Sequence, residues 1–280
     1  MENKKVLKNV FTTLVYIFAL IGFVLTGGYF AVRLGLTNSH GIIDTQNSAF
    51  WQSGLNGIHP PADTKWAQTE EWQVVKAAVS KDTDLITHVS AVTGVDERLI
   101  VAQLVAEQLR LYTSEREMFK SVFAPLKILG SQSQFSWGIM GIKEDTAINI
   151  ENYSKDPSSP FYPGPTYSRL LDFKTDNPTQ ERFDRITDEH DHYYDYLYTA
   201  LYIKEIEAQW KKAGFDISNR PEILSTLYNI GFTHSTPNAN PQVGGAEIDI
   251  NGSTYSFGSL AYQFYYSNEL VDLFPQGIAR

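Results

Sequence analysis

The chain has 280 residues, of which 42% are hydrophobic and 13% aromatic, so it contains enough apolar material for a buried core and is not a disordered protein. Its formal net charge of −9 argues against a nucleic-acid partner, because phosphate binding needs a basic surface. The absence of cysteine excludes disulfides, thiolate nucleophiles and thiolate zinc sites.

The N-terminal segment has the pattern of a membrane anchor. Residues 10–32 contain no charged side chain, and at about 1.5 Å rise per residue a helix of this length spans the hydrocarbon core of a bilayer. The flanking basic residues are Lys4, Lys5, Lys8 and Arg33. The positive-inside rule then places residues 1–9 in the cytoplasm and the rest of the chain outside. A cleaved signal peptide is the alternative, but the run is long and lacks a small-x-small exit.

The segment after the anchor has little periodicity. Residues 33–80 carry scattered Gly, Pro, Asn and Trp, which predicts a juxtamembrane stalk or collar. An amphipathic pattern begins in "DTDLITHVSAVTG" and continues from residue 95 to residue 121, with Asp96 placed as an N-cap before Leu99. We therefore predict that the helical domain covers residues 81–280.

Two further helices are predicted in the second half of the chain. One runs over residues 188–212 and ends before Gly214, which is a typical C-terminal stop. The other covers residues 221–228. Helices therefore dominate this part of the sequence.

One β element is predicted near the C-terminus, in "AEIDINGSTYSF". The Asn-Gly pair at residues 251–252 favours a two-residue hairpin turn, which places Ile248 opposite Tyr255 and Ala246 opposite Phe257. The predicted fold is therefore mainly α, a helical domain with a small C-terminal β-hairpin preceded by one transmembrane helix.

Glu107 is the first candidate for chemistry. At about 100° per residue, it falls on the same helix face as Ile100, Leu104 and Leu111. A carboxyl group held against apolar side chains loses hydration, so its pKa should rise and it could act as a general acid. In the alternative interpretation, Glu107 lies at the edge of the stripe, or it pairs with Arg110 or another base.

Three short motifs occur in order: "GVDERLIVAQLVAEQ", "WGIMGIKEDTA" and "LYNIGF". Together they resemble the lysozyme-like catalytic domain of soluble-type lytic transglycosylases. That family has an Ala five residues before its catalytic Glu, which matches Ala102 and Glu107. Its Gly-Leu-Met-Gln-Ile segment leading to Thr-Ala matches residues 138–147, and its Tyr-Asn pair matches Tyr228 and Asn229.

The sequence departs from the family pattern in three places. Gln108 follows the Glu where the family usually has Ser, and Gly141 replaces the Gln of the Met-Gln pair. The stretch from Glu107 to Gly138 is also longer than usual. These departures concern the contacts with substrate more than the fold.

The resemblance implies a mechanism with a single carboxyl group. Glu107 would protonate the bridging oxygen between MurNAc and GlcNAc, and would then act as base while the muramic acid 6-hydroxyl attacks C1. The product has a 1,6-anhydro end. Tyr228 would orient or hydrogen-bond Glu107, and Asn229 would support the same cleft wall. Glu115, Glu117, Glu144 and Asp145 are available as second carboxylates in a hydrolase, although the last two better fit a helix start.

The polar stretch "SQSQFSWGIMGIKEDTA" would form one wall of the glycan cleft. Its predicted substrate-binding residues are Gln132, Gln134, Ser136, Trp137, Gly138, Ile139 and Met140. Ser and Gln would hydrogen-bond sugar hydroxyls and N-acetyl groups, and Trp137 or Phe135 would offer a ring to a sugar face. Alternatively, Trp137 fills the core beside a tight turn.

A metal site is the rival interpretation of "DEHDHYY". His190 and His192 are two residues apart, so on a helix they would point in different directions. An acidic first helical turn explains the segment better, and we predict neither metal nor cofactor.

Two functions follow from this sequence. The first is a membrane-anchored peptidoglycan lytic transglycosylase on the outer side of a bacterial inner membrane. The second is a non-catalytic module of the same fold that binds glycan or an envelope protein, and Gln108 and Gly141 favour it.

Overall fold

The computed structural model describes residues 2–33, 41–44, 65–113 and 136–276. The helices are α1 (Glu2–Arg33), α2 (Glu70–Val79), α3 (Thr83–Thr93), α4 (Glu97–Thr113), α5 (Glu144–Tyr153), α6 (Pro178–Ile186), α7 (Tyr193–Lys212), α8 (Pro221–Ile230) and α9 (Phe257–Tyr265). The strands are β1 (Gly41–Ile43), β2 (Ser136–Trp137), β3 (Ile142–Lys143), β4 (Gly244–Ile250) and β5 (Ser253–Ser256). The chain is therefore mainly helical with a small antiparallel sheet, as predicted.

The described residues belong to two compact units, of which one contains α1 and the other contains all the remaining elements. Residues 10–32 are helical, within α1. Among the residues that the structure describes, no helix has both the length and the apolar character needed to cross a membrane. The transmembrane span over residues 10–32 therefore stays a prediction from the sequence.

The core of the second unit surrounds α4 and α7. Helix α4 packs against α2, α3, α7, α8, α9 and β4, so most of its side chains are buried. Local signals define where α4 begins: Gly94 ends α3 with a φ of +69°, and the Leu99 N–H donates to Asp96 Oδ1 at 3.1 Å. The predicted Asp96 cap is confirmed.

The segment before residue 80 contributes to this core. Trp66 and Trp72 are both fully buried and meet edge to face, with ring centroids 5.0 Å apart. Both rings also contact Phe264 of α9. Because these described residues belong to the second unit, the predicted stalk over 33–80 includes part of the domain core.

Arg98 joins the start of α4 to the C-terminal segment. Its side chain is fully buried, and its guanidinium lies 4.6 Å from the centroid of the Phe264 ring. It donates to five main-chain carbonyls at 2.6 to 3.0 Å, those of Phe264, Tyr265, Ser267, Glu269 and Phe274. Since the last carbonyls of a helix have no partner within it, Arg98 caps the end of α9.

The sheet has the strand order β1-β4-β5. Ile248 pairs with Tyr255, which confirms the predicted hairpin register. Asn251 and Gly252 have φ values of +49° and +75°, as a type I′ turn requires.

The predicted pairing of Ala246 with Phe257 is wrong. Ala246 pairs with Gly41 of β1, and Phe257 is the first residue of α9. The strand ends because Ser256 and Ser259 form a reciprocal capping box that starts the helix.

Helix α7 begins five residues later than predicted, at Tyr193 instead of Asp188. The Asp188 side chain accepts the N–H groups of His190 and Asp191 at 2.8 and 3.2 Å. The Asp191 side chain accepts the Tyr193 N–H at 3.0 Å. These local bonds compete with helical hydrogen bonds and delay the first turn.

The hairpin turn gives a stability prediction. No atom lies within 4 Å of a Cβ built on Gly252, so a substitution there is opposed only by the positive φ. We expect Gly252→Val to lower the unfolding free energy by about 1 kcal/mol or more, measured by urea denaturation. Asn251→Gly, which tolerates the same backbone, is the control. An unchanged midpoint for Gly252→Val would contradict the turn assignment.

Candidate active site

Glu107 lies in the middle of α4 and is only 3% exposed. Both of its carboxylate oxygens accept hydrogen bonds from Arg110, at 2.5 Å from Nη2 and 3.1 Å from Nε. Arg110 is itself 7% exposed, so the ion pair is buried. Glu107 is buried with the apolar stripe of α4, as expected, and the alternative of a pair with Arg110 is also correct.

A four-residue turn, Gly138–Gly141, lies directly against Glu107. It joins β2 to β3, and its two glycines have φ values of +64° and +67°. A Cβ placed on Gly141 would collide with the Glu107 carboxylate. The departure from the family pattern at this position therefore has a steric reason: a glutamine at 141 would displace Glu107.

Two side chains hold the turn through its carbonyls. Gln108 Nε2 donates to the Ile139 carbonyl at 2.5 Å, and the Tyr228 hydroxyl donates to the Met140 carbonyl at 2.9 Å. Gln108, the other departure from the family, thus has a structural role beside Glu107.

Tyr228 is expected to orient or hydrogen-bond Glu107, and in the structure it bonds instead to the turn that lies against Glu107. The Tyr228 hydroxyl bonds to Met140 and lies 3.2 Å from Thr199 Oγ1. Burial raises the pKa of Tyr228 well above its usual value, and the charge of Glu107 adds to this effect. The phenol therefore remains a hydrogen-bond donor at neutral pH.

Asn229 is directed toward the sheet. Its Oδ1 accepts the Ala246 N–H of β4 at 2.8 Å. Its oxygen is thus used to position β4, and the expectation that Asn229 supports the cleft wall stays a prediction.

Trp137 belongs to the core. It is 1% exposed and meets Phe183 edge to face, with ring centroids 5.3 Å apart. The expected sugar platform at Trp137 is therefore wrong, and the alternative of a core residue beside a tight turn is correct. Met140 is also buried, whereas Ile139 is half-buried.

Several predicted residues lie outside the described part of the chain. These are Gln132, Gln134, Phe135, Glu115 and Glu117, together with the side chain of Ser136. Glu144 and Asp145 are described, and they lie in the first turn of α5, where carboxylates favour the helix dipole.

Asp195 on α7 is the residue that sequence reasoning missed. It is fully buried, and a Cβ placed on Gly138 would collide with its carboxyl group. Burial raises the pKa of Asp195 to about 8, while the charge of His192 and the facing N–H groups of Met140 and Ile139 oppose the shift. An available signal was the run "YYDYLYTALYI", in which Asp195 is the only charged residue.

His192 pairs with a carboxylate instead of joining a metal site. Its Nδ1 lies 2.7 Å from Asp82 Oδ2, and the Tyr196 hydroxyl donates to the same oxygen at 2.7 Å. The hydrogen bond to Asp82 raises the pKa of His192. Within the described ranges, no group of three or more His, Cys, Asp or Glu side chains could hold a metal ion.

Comparison of the chain with protein-family models, with curated proteins and with solved structures gave no match. Any function proposed for this chain is therefore inferred from the residues and contacts described above.

Proposed function

We propose that this chain is a membrane-anchored peptidoglycan lytic transglycosylase in which Glu107 is the catalytic residue. One observation carries the proposal: Gly141 of the second motif lies against the Glu107 carboxylate of the first. The third motif adds a contact at the same place, since the Tyr228 hydroxyl bonds to the Met140 carbonyl. Motifs that are far apart in sequence thus meet around one carboxyl group.

In this proposal, Glu107 protonates the bridging oxygen between MurNAc and GlcNAc and then takes the proton of the attacking muramic acid 6-hydroxyl. Each Glu107 oxygen accepts one hydrogen bond from Arg110, so the proton that Glu107 transfers would occupy a lone pair that Arg110 does not use. Arg110 would then stabilise the carboxylate that remains after proton transfer. The proposed cleft wall comprises Gln132, Gln134, Ser136 and the main chain of residues 138–140, without Trp137.

The Arg110 pair also favours a second candidate function, a non-catalytic lysozyme-like module that binds glycan or an envelope protein. A carboxylate that is 3% exposed and bonded at both oxygens is typical of a structural ion pair. The two candidates differ in whether the chain cuts its ligand.

Digestion of purified sacculi by the full chain, followed by mass analysis of the released fragments, separates these functions. We expect fragments with 1,6-anhydro ends. Reducing ends would instead indicate a hydrolase, and intact sacculi that retain the protein would indicate the binding module.

We also propose that residues 10–32 anchor the chain in the bacterial inner membrane, with residues 1–9 in the cytoplasm and the helical domain outside. The uncharged run and the preceding lysines support this orientation. The full chain should remain with membranes after a carbonate wash. Recovery of a soluble form that begins after about residue 36 would contradict the anchor.

A further inference from the structure

We propose that Asp195 is a positioning residue that holds the Gly138–Gly141 turn against Glu107 through the backbone N–H groups of Ile139 and Met140. The proposal rests on the transglycosylase function, since the turn is part of its active site. Asp195 itself is fully buried and would touch no substrate.

The turn is enclosed between two acidic side chains. At one end, Gly141 has no room for a Cβ because of the Glu107 carboxylate, and at the other end Gly138 has none because of the Asp195 carboxyl group and the Ile186 carbonyl. The turn backbone thus lies in close contact with both carboxyl groups, and removing the Asp195 carboxyl group would leave space beside Gly138 and free the turn to move away from Glu107.

The hydrogen-bonding capacity of the Asp195 carboxyl group is unused within the described part of the chain. Neither of its oxygens makes a hydrogen bond there, although both are buried. The N–H groups of Ile139 and Met140 face it closely enough to favour its charged form, without reaching hydrogen-bond geometry. Burying a carboxyl group without a hydrogen-bond partner costs folding free energy. We explain the presence of Asp195 by its contact with the turn.

The protonation state of Asp195 sets the strength of this contact. With a pKa near 8, the group is mostly neutral at pH 7 and becomes an anion above pH 8, which attracts the two amides more strongly. The ionisable side chains that interact with Asp195 are His192, Asp82, Tyr196 and Tyr228. Among these, His192 also has a raised pKa, because of its hydrogen bond to Asp82, so the test must separate the two groups.

The chain offers a simple probe of the turn, because it contains only three methionines, Met1, Met118 and Met140. In the full chain labelled with ¹⁵N-methionine, we expect the Met140 amide signal to shift between pH 5 and pH 9.5 with a midpoint near 8. The shift should disappear in Asp195→Asn, which keeps an oxygen acceptor but cannot ionise.

Glu205→Gln is the matched control. Glu205 is also fully buried on α7, and its oxygens likewise lack a hydrogen-bond partner among the described residues, but its pKa is raised by burial alone, with no contribution from an N–H group of the turn. The Met140 titration should persist in this variant. If the Met140 titration also persists in Asp195→Asn, it belongs to His192 and the proposal is overturned. The proposal is likewise overturned if the Met140 signal of the parent chain does not titrate.

Turnover on sacculi supplies the second readout. Asp195→Ala removes the acceptor and should lower turnover at least tenfold at pH 7, whereas Asp195→Asn should recover it to within threefold and Glu205→Gln should leave it unchanged. Equal turnover of Asp195→Ala and the parent would overturn the proposal. The parent chain could also cut no glycan and still show the Asp195-dependent titration. That result would reject the transglycosylase function alone, and the coupling of Asp195 to the turn would remain supported.

Discussion

Glu107→Gln is expected to lower turnover on peptidoglycan by about 100-fold or more, since this is the usual scale for losing an acid-base group. The glutamine keeps the size of the side chain beside Gly141 but cannot transfer a proton. Glycan binding should survive, because the turn and its bonds to Gln108 and Tyr228 stay in place. The measurement is the rate of fragment release from sacculi, together with the fraction of protein bound to them.

The change also weakens a buried ion pair, so loss of stability must be separated from loss of catalysis. Glu151→Gln is the control, because Glu151 forms a second buried two-point pair with Arg182, at 2.6 Å for both contacts. Each variant should lose on the order of 3 kcal/mol of unfolding free energy. Only Glu107→Gln should lose turnover at a temperature where both are folded. A similar loss of turnover in Glu151→Gln, or full turnover in Glu107→Gln, would contradict a catalytic role for Glu107.

Arg98→Met is expected to lower the unfolding free energy by about 4 kcal/mol or more. The methionine keeps the apolar packing but removes the five hydrogen bonds that the guanidinium donates to carbonyls of the C-terminal segment. A hydrogen bond from a charged donor contributes roughly 1.5 kcal/mol or more. Urea denaturation followed by circular dichroism measures the change.

Arg169→Met is the matched control for Arg98→Met. The Arg169 side chain is 89% exposed and pairs only at the surface, with Asp172 at 3.2 Å. Its replacement should change the unfolding free energy by less than about 0.5 kcal/mol. If the two variants unfold at the same urea concentration, the carbonyl cap on α9 contributes little to stability.

The features that sequence analysis predicted correctly depend on neighbouring residues. The Asp96 cap, the helix stop before Gly214 and the Asn251-Gly252 turn each need only a few consecutive residues. Their geometry is set by local hydrogen bonds and by φ, so a single sequence contains the necessary information.

The features that it left open or missed depend on the direction of a side chain or on residues far apart in the chain. Helical periodicity places Glu107 on an apolar stripe, but it does not determine which way Arg110, one turn later, extends its guanidinium. The collision of Gly138 with Asp195 joins positions separated by α5 and α6, and no local pattern encodes it. Trp137 illustrates the same limit, since its burial depends on Phe183.

Strand β1 has a consequence for proteolysis of this protein. Gly41–Ile43 covers one edge of β4, while Trp66 and Trp72 cover Phe264. A fragment that begins near residue 81 would therefore carry an open strand edge beside an uncovered aromatic cluster. Such edges pair with other chains, so we expect trimming at this point to yield a fragment that self-associates.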